Sequence, residues 1–508
     1  MALSMRRLPA YLGLGIVLST LAVAYARTLA PGLTWANSGG DGGDLITAAA
    51  TLGVAHPTGY PTYLLLAHLF QYVPIGDLAF RTNLLSAAAA LLAAACVYGI
   101  VQELDGSQTW RSSVAAAIAA LGLGLAPVFW SQAIIAEVYS LNACFVALIL
   151  RFILRSMRSA GAARAWPDRF AALVVGVALG NHVTAALPAL VWLTIATRST
   201  APGDRRHMTV RRLTWLCLGL LVYLYLPLRA AAHPPVNWGD AHDWSGFWWE
   251  ISGQPYRGLA FGLPPAFLSG RVEAWAALLA GQFGWLGLGL GFFGLLYGGA
   301  ARWFRWLSAA LAAAYSLFAV TYNTADSFAY LIPAYLIFTI WIGLGVTIIL
   351  ESLERWRPYA APGAAVVLFI LTLAAAPAAA HQVDASQDRR ATKYASSVLT
   401  SAPRQAIVVT TSDLDSFPLW YYHYALGQRP DLVVIIDPLL DFSWYRENLR
   451  FVYPALRIPE STGTSWVDAI VSANRTHGPL CRTNVKVQPY LSCESVMDPL
   501  DWTDPKAW

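Results

Sequence analysis

Two carboxylates and an imidazole, Asp41, Asp44 and His56, stand close together in the stretch SGGDGGDLITAAATLGVAHPTGYPTY of a chain whose other long segments are apolar. A carboxylate whose pKa is lifted toward neutrality can take a proton from a hydroxyl, and an imidazole can donate to a phosphate or sugar oxygen. Glycines on both sides of Asp41 permit backbone shapes that a β-carbon forbids, which suits a loop where backbone and ligand approach closely. Each residue also has a plainer reading. Asp41 in a turn bonds its own backbone, Asp44 before LITAAATLGVA caps a helix, and His56 before a proline is satisfied by a main-chain partner.

Further polar groups recur beside apolar runs: Glu137 and Tyr139 in AEVYSLN, Asn181 and His182 in GNHV, Arg229 after YLYLPL, Trp238 and Asp240 in PPVNWGD, and Asp326 in YNTADSF. The Arg229 guanidinium suits paired, charge-assisted bonds to phosphate, or else it snorkels as an interfacial anchor. Glu137, Tyr139, Asn181 and His182 either orient a sugar or acceptor or tie helices together inside the membrane. Trp238 stacks on a sugar face or anchors at the interface. Asp240 is a second acid or a cap for AHDWSGFWWE, and Asp326 pairs with Arg229 or lines a cavity.

The elements that must hold these groups are membrane helices. The chain has 508 residues, of which 57% are hydrophobic and 12% charged, about half the charged fraction of a soluble globule. Its 21 Trp and 23 Tyr suit long boundaries between lipid and water. The net charge of +5 is small and no basic block points to nucleic acid, while five cysteines are too few for a disulfide scaffold or a metal cluster. Apolar stretches near 10–30, 80–101, 112–128, 132–153, 168–181, 183–197, 212–228, 273–298, 303–321, 328–350 and 359–379 predict about eleven transmembrane helices. The N-terminal run competes with a signal peptide ending at AYA, but its length favours an uncleaved first helix. The pair around Gly180 is short and reads as tilted or broken half-spans.

With Arg6 and Arg7 in the cytoplasm, the basic loops RSMRSAGAARAWPDR, RSTAPGDRRHMTVRR, ARWFR and ESLERWRPY fall on the same side. An odd number of spans then places the tail from His381 outside. TYLLLAHLFQYV is too short to cross and reads as an interfacial helix. All the polar candidates gather at the outer end, where Asp41 sits at headgroup depth. A charge at membrane depth costs several kcal/mol, so such a gathering marks a site or a pathway.

These residues also carry a resemblance. GDGGDLITAAATLGVAHPTGYPTY is similar to the signature of the membrane family called domain of unknown function 2723, G-D-S-G-E followed by an alanine-rich helix and G-x-A-H-P-P-G-Y-P. PVFWSQAIIAEVYSLN, GVALGNHVTAALPAL, YLPLRAAAHPPVNWGD and YNTADSFAYLIPAY agree with it in the same order. Asp44 replaces the family's Glu and Thr58 its first proline. The resemblance implies a branch of the GT-C membrane glycosyltransferases, related to protein O-mannosyltransferases. It implies a polyprenyl-phosphate sugar as donor, a protein or glycan hydroxyl as acceptor, and Asp41 as catalytic base, with Asp44 as its neighbouring acid. Arg229 and His56 are then expected at the donor phosphate, and Glu137, Tyr139, Asn181, His182, Trp238, Asp240 and Asp326 at the sugar or acceptor. No cofactor is required by this chemistry, and a divalent metal is left open.

The tail, QAIVVTTSDLDSFPLWYYHYALGQRPDLVVIID, reads as strand, helix, strand. SDLD matches the metal-binding D-x-D of soluble sugar-nucleotide transferases, but more simply begins the helix after Ser412. Cys481 and Cys493 fall on the oxidising side and suit a disulfide, the other cysteines read as packing residues, and NRT at 474–476 matches a glycosylation sequon. The expected architecture is a mainly α polytopic domain over residues 1–380, GT-C-like, and an extracytoplasmic α/β domain over residues 381–508, in a bacterial plasma membrane. A transporter or flippase of a lipid-linked sugar is the competing class, and a polysaccharide ligase or polymerase the competing enzyme. A transporter places its polar groups at the midplane between inverted repeats, a pattern not visible in this sequence.

Overall fold

A computed structural model describes residues 2–107, 109–159, 165–198, 205–299, 302–463, 465–474 and 478–494. The long α1 (Ala2–Thr28) leads into a loop carrying two short helices, α2 (Gly42–Thr51) and α3 (Pro61–Phe70). Then follow α4 (Leu78–Asp105), α5 (Trp110–Gly124), α6 (Pro127–Ala133), α7 (Tyr139–Arg158), α8 (Ala165–Leu179), α9 (Ala186–Arg198) and α10 (Arg205–Leu220). The short α11 (Tyr225–Ala230) and α12 (Trp244–Ile251) precede the bundle helices α13 (Leu268–Tyr297), α14 (Arg302–Thr321), α15 (Ile332–Trp356) and α16 (Ala360–Ala374).

The chain is an integral membrane protein. Among the described residues eight helices are long and apolar enough to cross a bilayer, or nine if α5 and α6, bent by 68° at their junction, form one span. The predicted spans at 168–181 and 183–197 are α8, of 15 residues, and α9, of 13, both short of the crossing length. They still run between the same two ends of the bundle. Asp168 is bridged by the Arg212 Nε at 3.0 Å, Gly176 packs on Gly219, and the Tyr223 hydroxyl donates to the Leu179 carbonyl at 2.7 Å. Those contacts make α8 and α10 parallel neighbours, so α9 must return between them. α8, α9, the bent pair and the eight long helices correspond to the eleven predicted stretches; among the described residues eight of them, or nine with the bent pair, are long and apolar enough to cross.

Packing explains why these sequences stay together. The central α15 is buried over 89% of its apolar window, and Gly294 and Gly345 let α13 and α15 approach backbone to backbone. Charges cluster where the sequence places the basic loops. Glu103 receives Arg151 Nε at 2.9 Å and Arg155 Nη2 at 2.7 Å, and Arg111 pairs with Glu354. The side chains of Arg6 and Arg7 lie outside the described residues, as do Arg475 and Thr476 of the sequon.

After α17 (Ala376–Val383) and α18 (Arg390–Ser401), the chain forms β1 (Ile407–Thr410), α19 (Asp413–Trp420), β2 (Val433–Ile436), α20 (Ser443–Val452), α21 (Trp466–Ala473), β3 (Leu480–Thr483) and β4 (Leu491–Cys493). The sheet order is β2-β1-β3-β4, parallel except for the last pair. The β1-α19-β2 unit matches the predicted strand, helix, strand, with Ile407 opposite Val433. The cystines pair as expected, Cys481 lying opposite Cys493 across the β3–β4 ladder. Cys96 and Cys144 are buried packing residues, whereas Cys217 is exposed on the bundle surface.

The module is fastened to the first interhelical loop. Asp388 accepts the Thr34 hydroxyl at 2.7 Å and the Trp35 amide at 3.0 Å, and Asn37 Nδ2 donates to the Val383 carbonyl at 2.8 Å. One apolar core runs through both.

Candidate functional site

The loop between α1 and α4 meets the module where the glycines are. A β-carbon on Gly43 would lie 2.6 Å from the carbonyl carbon and oxygen of Phe417 in α19, and one on Gly42 would touch the Ala136 carbonyl oxygen at 3.5 Å. Neither glycine has a positive φ. The expectation of a glycine loop shaped around a ligand is therefore corrected: these glycines admit another part of the protein.

Asp41 occupies the cap position of α2 but makes no side-chain capping bond, and its carboxylate, 41% exposed, opens into a cavity of about 570 Å³. Asp44 is not the cap. It lies in the first turn, fully buried, and accepts three hydrogen bonds: His56 Nδ1 at 2.7 Å, the His56 amide at 3.0 Å and Trp238 Nε1 at 3.1 Å. Its shorter reach relative to glutamate is sufficient for this. A carboxylate fixing one imidazole nitrogen sets the ring's orientation and favours its charged form. His56 Nε2 then faces Asp41 Oδ2 at 3.8 Å.

The electrostatics follow from this arrangement. Burial acts against a charged His56, but the carboxylates of Asp41 and Asp44 outweigh it and push its pKa up to about 9. Burial raises the Asp41 pKa above the usual carboxylate range; His56 opposes the rise, while Asp44 and Asp326 add to it. Asp41 is open toward the cavity yet recessed below the surface, so few waters solvate it.

Of the other sequence candidates, Tyr139, His182 and Asp326 reach the cavity. His182 shares a hydrogen bond with the Thr184 hydroxyl at 2.8 Å, and burial lowers its pKa to about 4, so it is neutral. Its ring lies 5.9 Å from Tyr139 and 5.6 Å from Tyr330, which with Phe318 and Tyr322 forms an aromatic wall.

Six candidates do not line the cavity. Asp44 and Trp238 serve His56 from behind, the indole ring being buried among Phe417, Trp420 and Trp444. Glu137 lies in the break between α6 and α7 rather than inside a span, and is buried. Asn181 is fully buried and donates to the Val138 carbonyl at 3.2 Å, tying the α8–α9 turn to that break. Arg229 donates its Nε to the Leu52 carbonyl at 2.7 Å, which fixes the end of α2, while Asp326, its expected partner, lines the cavity that Arg229 does not reach. Asp240 accepts Asn237 Nδ2 at 3.0 Å and pairs with His242 at 3.1 Å; the cap of α12 is Asp243.

The cavity also holds residues that the sequence reading passed over, Tyr60, Tyr256, Arg257 and Phe417 of the module, and Asp413, which was read only as part of the SDLD segment. Arg257 in QPYRGLAF follows no long apolar run, so nothing in its neighbourhood marked it. Beside the cavity and sharing the Ile251 wall lies a second, apolar cavity of about 610 Å³, bordered by Cys217, Leu221, Leu224, Trp244 and Phe247. Among the described residues no group of three or more His, Cys, Asp or Glu is placed to hold a metal ion.

Comparison with known proteins follows the same outline. Residues 41–202 match the family model for the Protein O-mannosyl-transferase TMEM260 N-terminal domain, and residues 391–468 match TMEM260-associated domain 2. The chain is similar to Protein O-mannosyl-transferase TMEM260 of Mus musculus, 28% identical over 486 residues, covering 89% of this chain and 65% of the relative. It is similar to the Dictyostelium discoideum protein of the same name, 24% identical over 492 residues, covering 86% and 58%. The chain thus spans less than two thirds of the length of these relatives. Among solved structures, ArnT from Cupriavidus metallidurans bound to undecaprenyl phosphate superposes with a TM-score of 0.62 at 14% identity over 92% of each chain, and its apo form with 0.61. At that identity the likeness establishes the fold, which is GT-C-like.

Proposed function

We propose that this chain is a membrane glycosyltransferase that moves a hexose, mannose in the first instance, from a polyprenyl-phosphate donor to an acceptor hydroxyl on a protein at the extracytoplasmic face. The observation that carries this reading is the recessed Asp41 carboxylate, held beside a charged His56 that Asp44 clamps from behind, in a cavity that also presents a guanidinium. The O-mannosyl-transferase relatives and the fold shared with a structure that binds undecaprenyl phosphate support the substrate class.

In this mechanism Asp41 takes the proton from the acceptor hydroxyl as that oxygen attacks the anomeric carbon, and the bond from that carbon to the phosphate oxygen breaks on the opposite face. The phosphate leaves as an anion. Arg257 is the cation for it, because a guanidinium keeps its charge and bonds two phosphate oxygens at once. The apolar cavity behind Ile251 suits the isoprenoid tail, which stays in lipid while the phosphate sits at headgroup depth. The aromatic wall suits the apolar faces of a sugar ring, and Asp44 and Trp238 act as positioning residues for His56.

The test is direct: purified protein in lipid, given undecaprenyl-phosphate [14C]mannose and secreted proteins from the same organism, should label protein. Retention of all label in the lipid defeats the proposal. Two further results are expected from the same assay. Arg257→Ala should weaken donor binding roughly tenfold to a hundredfold, the worth of a charge-assisted bond, while Arg229→Ala should leave donor affinity near wild type. The opposite order returns the phosphate role to Arg229.

The pH dependence has a definite sign. Asp41 is a base only above its raised pKa, so activity rises with pH through a range above that of an ordinary aspartate. His56 loses its charge near pH 9, removing a cation from the cavity, so activity falls there. In Asp44→Asn the neutral amide cannot hold that proton, and the alkaline limb should move toward the ordinary imidazole range, about 6.5. A limb that stays put would remove His56 from the profile.

A further inference from the structure

The cavity is closed on one side by α19 of the C-terminal module, which lines it with Phe417 and with a carboxylate, Asp413, that has no hydrogen bond or ion pair among the described residues. Asp413 stands at the first position of α19, where an acidic residue ordinarily caps the helix. Here that work is done by others. Asp415 Oδ1 accepts the Ser412 amide at 2.7 Å and the Ser412 hydroxyl at 2.9 Å, and Asp415 Oδ2 accepts the Thr411 amide at 3.1 Å and the Thr483 hydroxyl at 2.7 Å. That network joins the ends of β1 and β3 and starts the helix without Asp413, whose oxygens accept no hydrogen bond and form no ion pair among the described residues.

Asp413 is exposed to the cavity, and the protein around it, then Asp41, raise its pKa to about 6, with His56 the compensating charge. The position is fixed as well, because Phe417, one turn along the same helix, rests its backbone on Gly43, two residues from Asp41. The Asp413 carboxylate is exposed to the cavity and held on a fixed helix, so what it meets there is water or ligand, and a ligand that brings hydrogen-bond donors takes the place of that water. Vicinal hydroxyl groups of a sugar are such donors, and carry no charge that Arg257 would repel.

We propose that Asp413 accepts hydrogen bonds from hydroxyl groups of the donor hexose, so that the sugar subsite is built jointly by the membrane bundle and the C-terminal module, with Asp413 a positioning and specificity residue. This rests on reading the cavity as a sugar-transfer site. It gives the module a role in substrate recognition, and it accounts for a glycine at position 43, since only there can α19 come close enough to present Asp413.

Binding of two lipids to the full chain in nanodiscs, undecaprenyl phosphate and undecaprenyl-phosphate mannose, tests this. Asp413→Asn and Asp413→Ala should weaken the mannose-bearing lipid by roughly tenfold or more, as expected for a hydrogen bond to a charged group, and leave the bare lipid within about twofold. Asp415→Asn, which breaks the helix start, should weaken both lipids alike and so shows what structural damage looks like. Equal loss for both lipids in the Asp413 variants, or no loss for either, overturns the proposal; so does an unchanged donor affinity accompanied by a raised KM for the acceptor. A wild-type protein that binds the bare lipid and gains nothing from the mannose overturns the transferase reading itself.

Discussion

Asp41→Asn should lower the rate of transfer about 10²- to 10⁴-fold, the range for removing a positioned general base, while donor affinity and thermal stability stay close to wild type. The amide keeps the volume and the polar surface of the carboxylate. Asp41 makes no capping bond to α2, so helix stability does not depend on its charge. What changes is the destination of the acceptor's proton: an amide cannot take it, and His56, already protonated below pH 9, cannot serve in its place. The acid limb of the pH profile should vanish with it. Steady-state transfer and donor binding measured on the same preparation separate the two effects, and an Asp41→Asn enzyme with normal turnover takes the base role away from this residue.

The second large effect lies in a glycine. Gly43→Ala places a methyl group 2.6 Å from the Phe417 carbonyl, which is main chain and cannot rotate aside. Overpacking of this kind costs about 3 kcal/mol, and relief requires α19 to back away from α2. Asp413 and Phe417 would then leave the cavity wall together. Misplacing such groups by about an ångström can cost roughly a hundredfold in rate, so transfer should fall to that extent, with the module more open to protease. Gly40→Ala is the contrast: its methyl group would meet only the end of the flexible Leu414 side chain at 3.3 Å, and it should behave like wild type. Equal behaviour of the two variants would mean that the module does not depend on this contact.

Much of this arrangement was legible in the sequence because a bilayer penalises charge so heavily. The apolar stretches marked the polytopic bundle and the alternation of arginine-rich loops the end at which the polar groups collect, while α8 and α9, read as spans, are too short to qualify by length. The strand, helix, strand of the module followed from periodicity alone. Individual side chains were less legible, for a physical reason. Arg229 drew notice as a charge at the end of an apolar run, and its position there is satisfied by one main-chain carbonyl; Arg257 sits in a loop with no periodicity and is an arginine that lines the cavity.

Trp238 was read as a sugar platform or an interfacial anchor and Asp44 as a helix cap or a second catalytic acid, and they instead form a buried support for His56. An indole beside a glycine turn looks the same in sequence whichever way its ring points. Asp413 was read with its segment as a helix start, which is correct for the segment. That Ser412 and Asp415 would do all of the capping, leaving Asp413 free, depends on Thr483, which lies far along the chain, and no local pattern reports it.

The central claim is that one carboxylate, Asp41, acts as base in a single displacement, with no covalent sugar on the protein. The stereochemistry of the product tests it most directly. With undecaprenyl-phosphate mannose of known anomeric configuration, the one-bond C1–H1 coupling of the newly formed linkage should show the opposite configuration. A product that keeps the donor's configuration would require two successive displacements through a glycosyl-carboxylate intermediate, and would contradict the account.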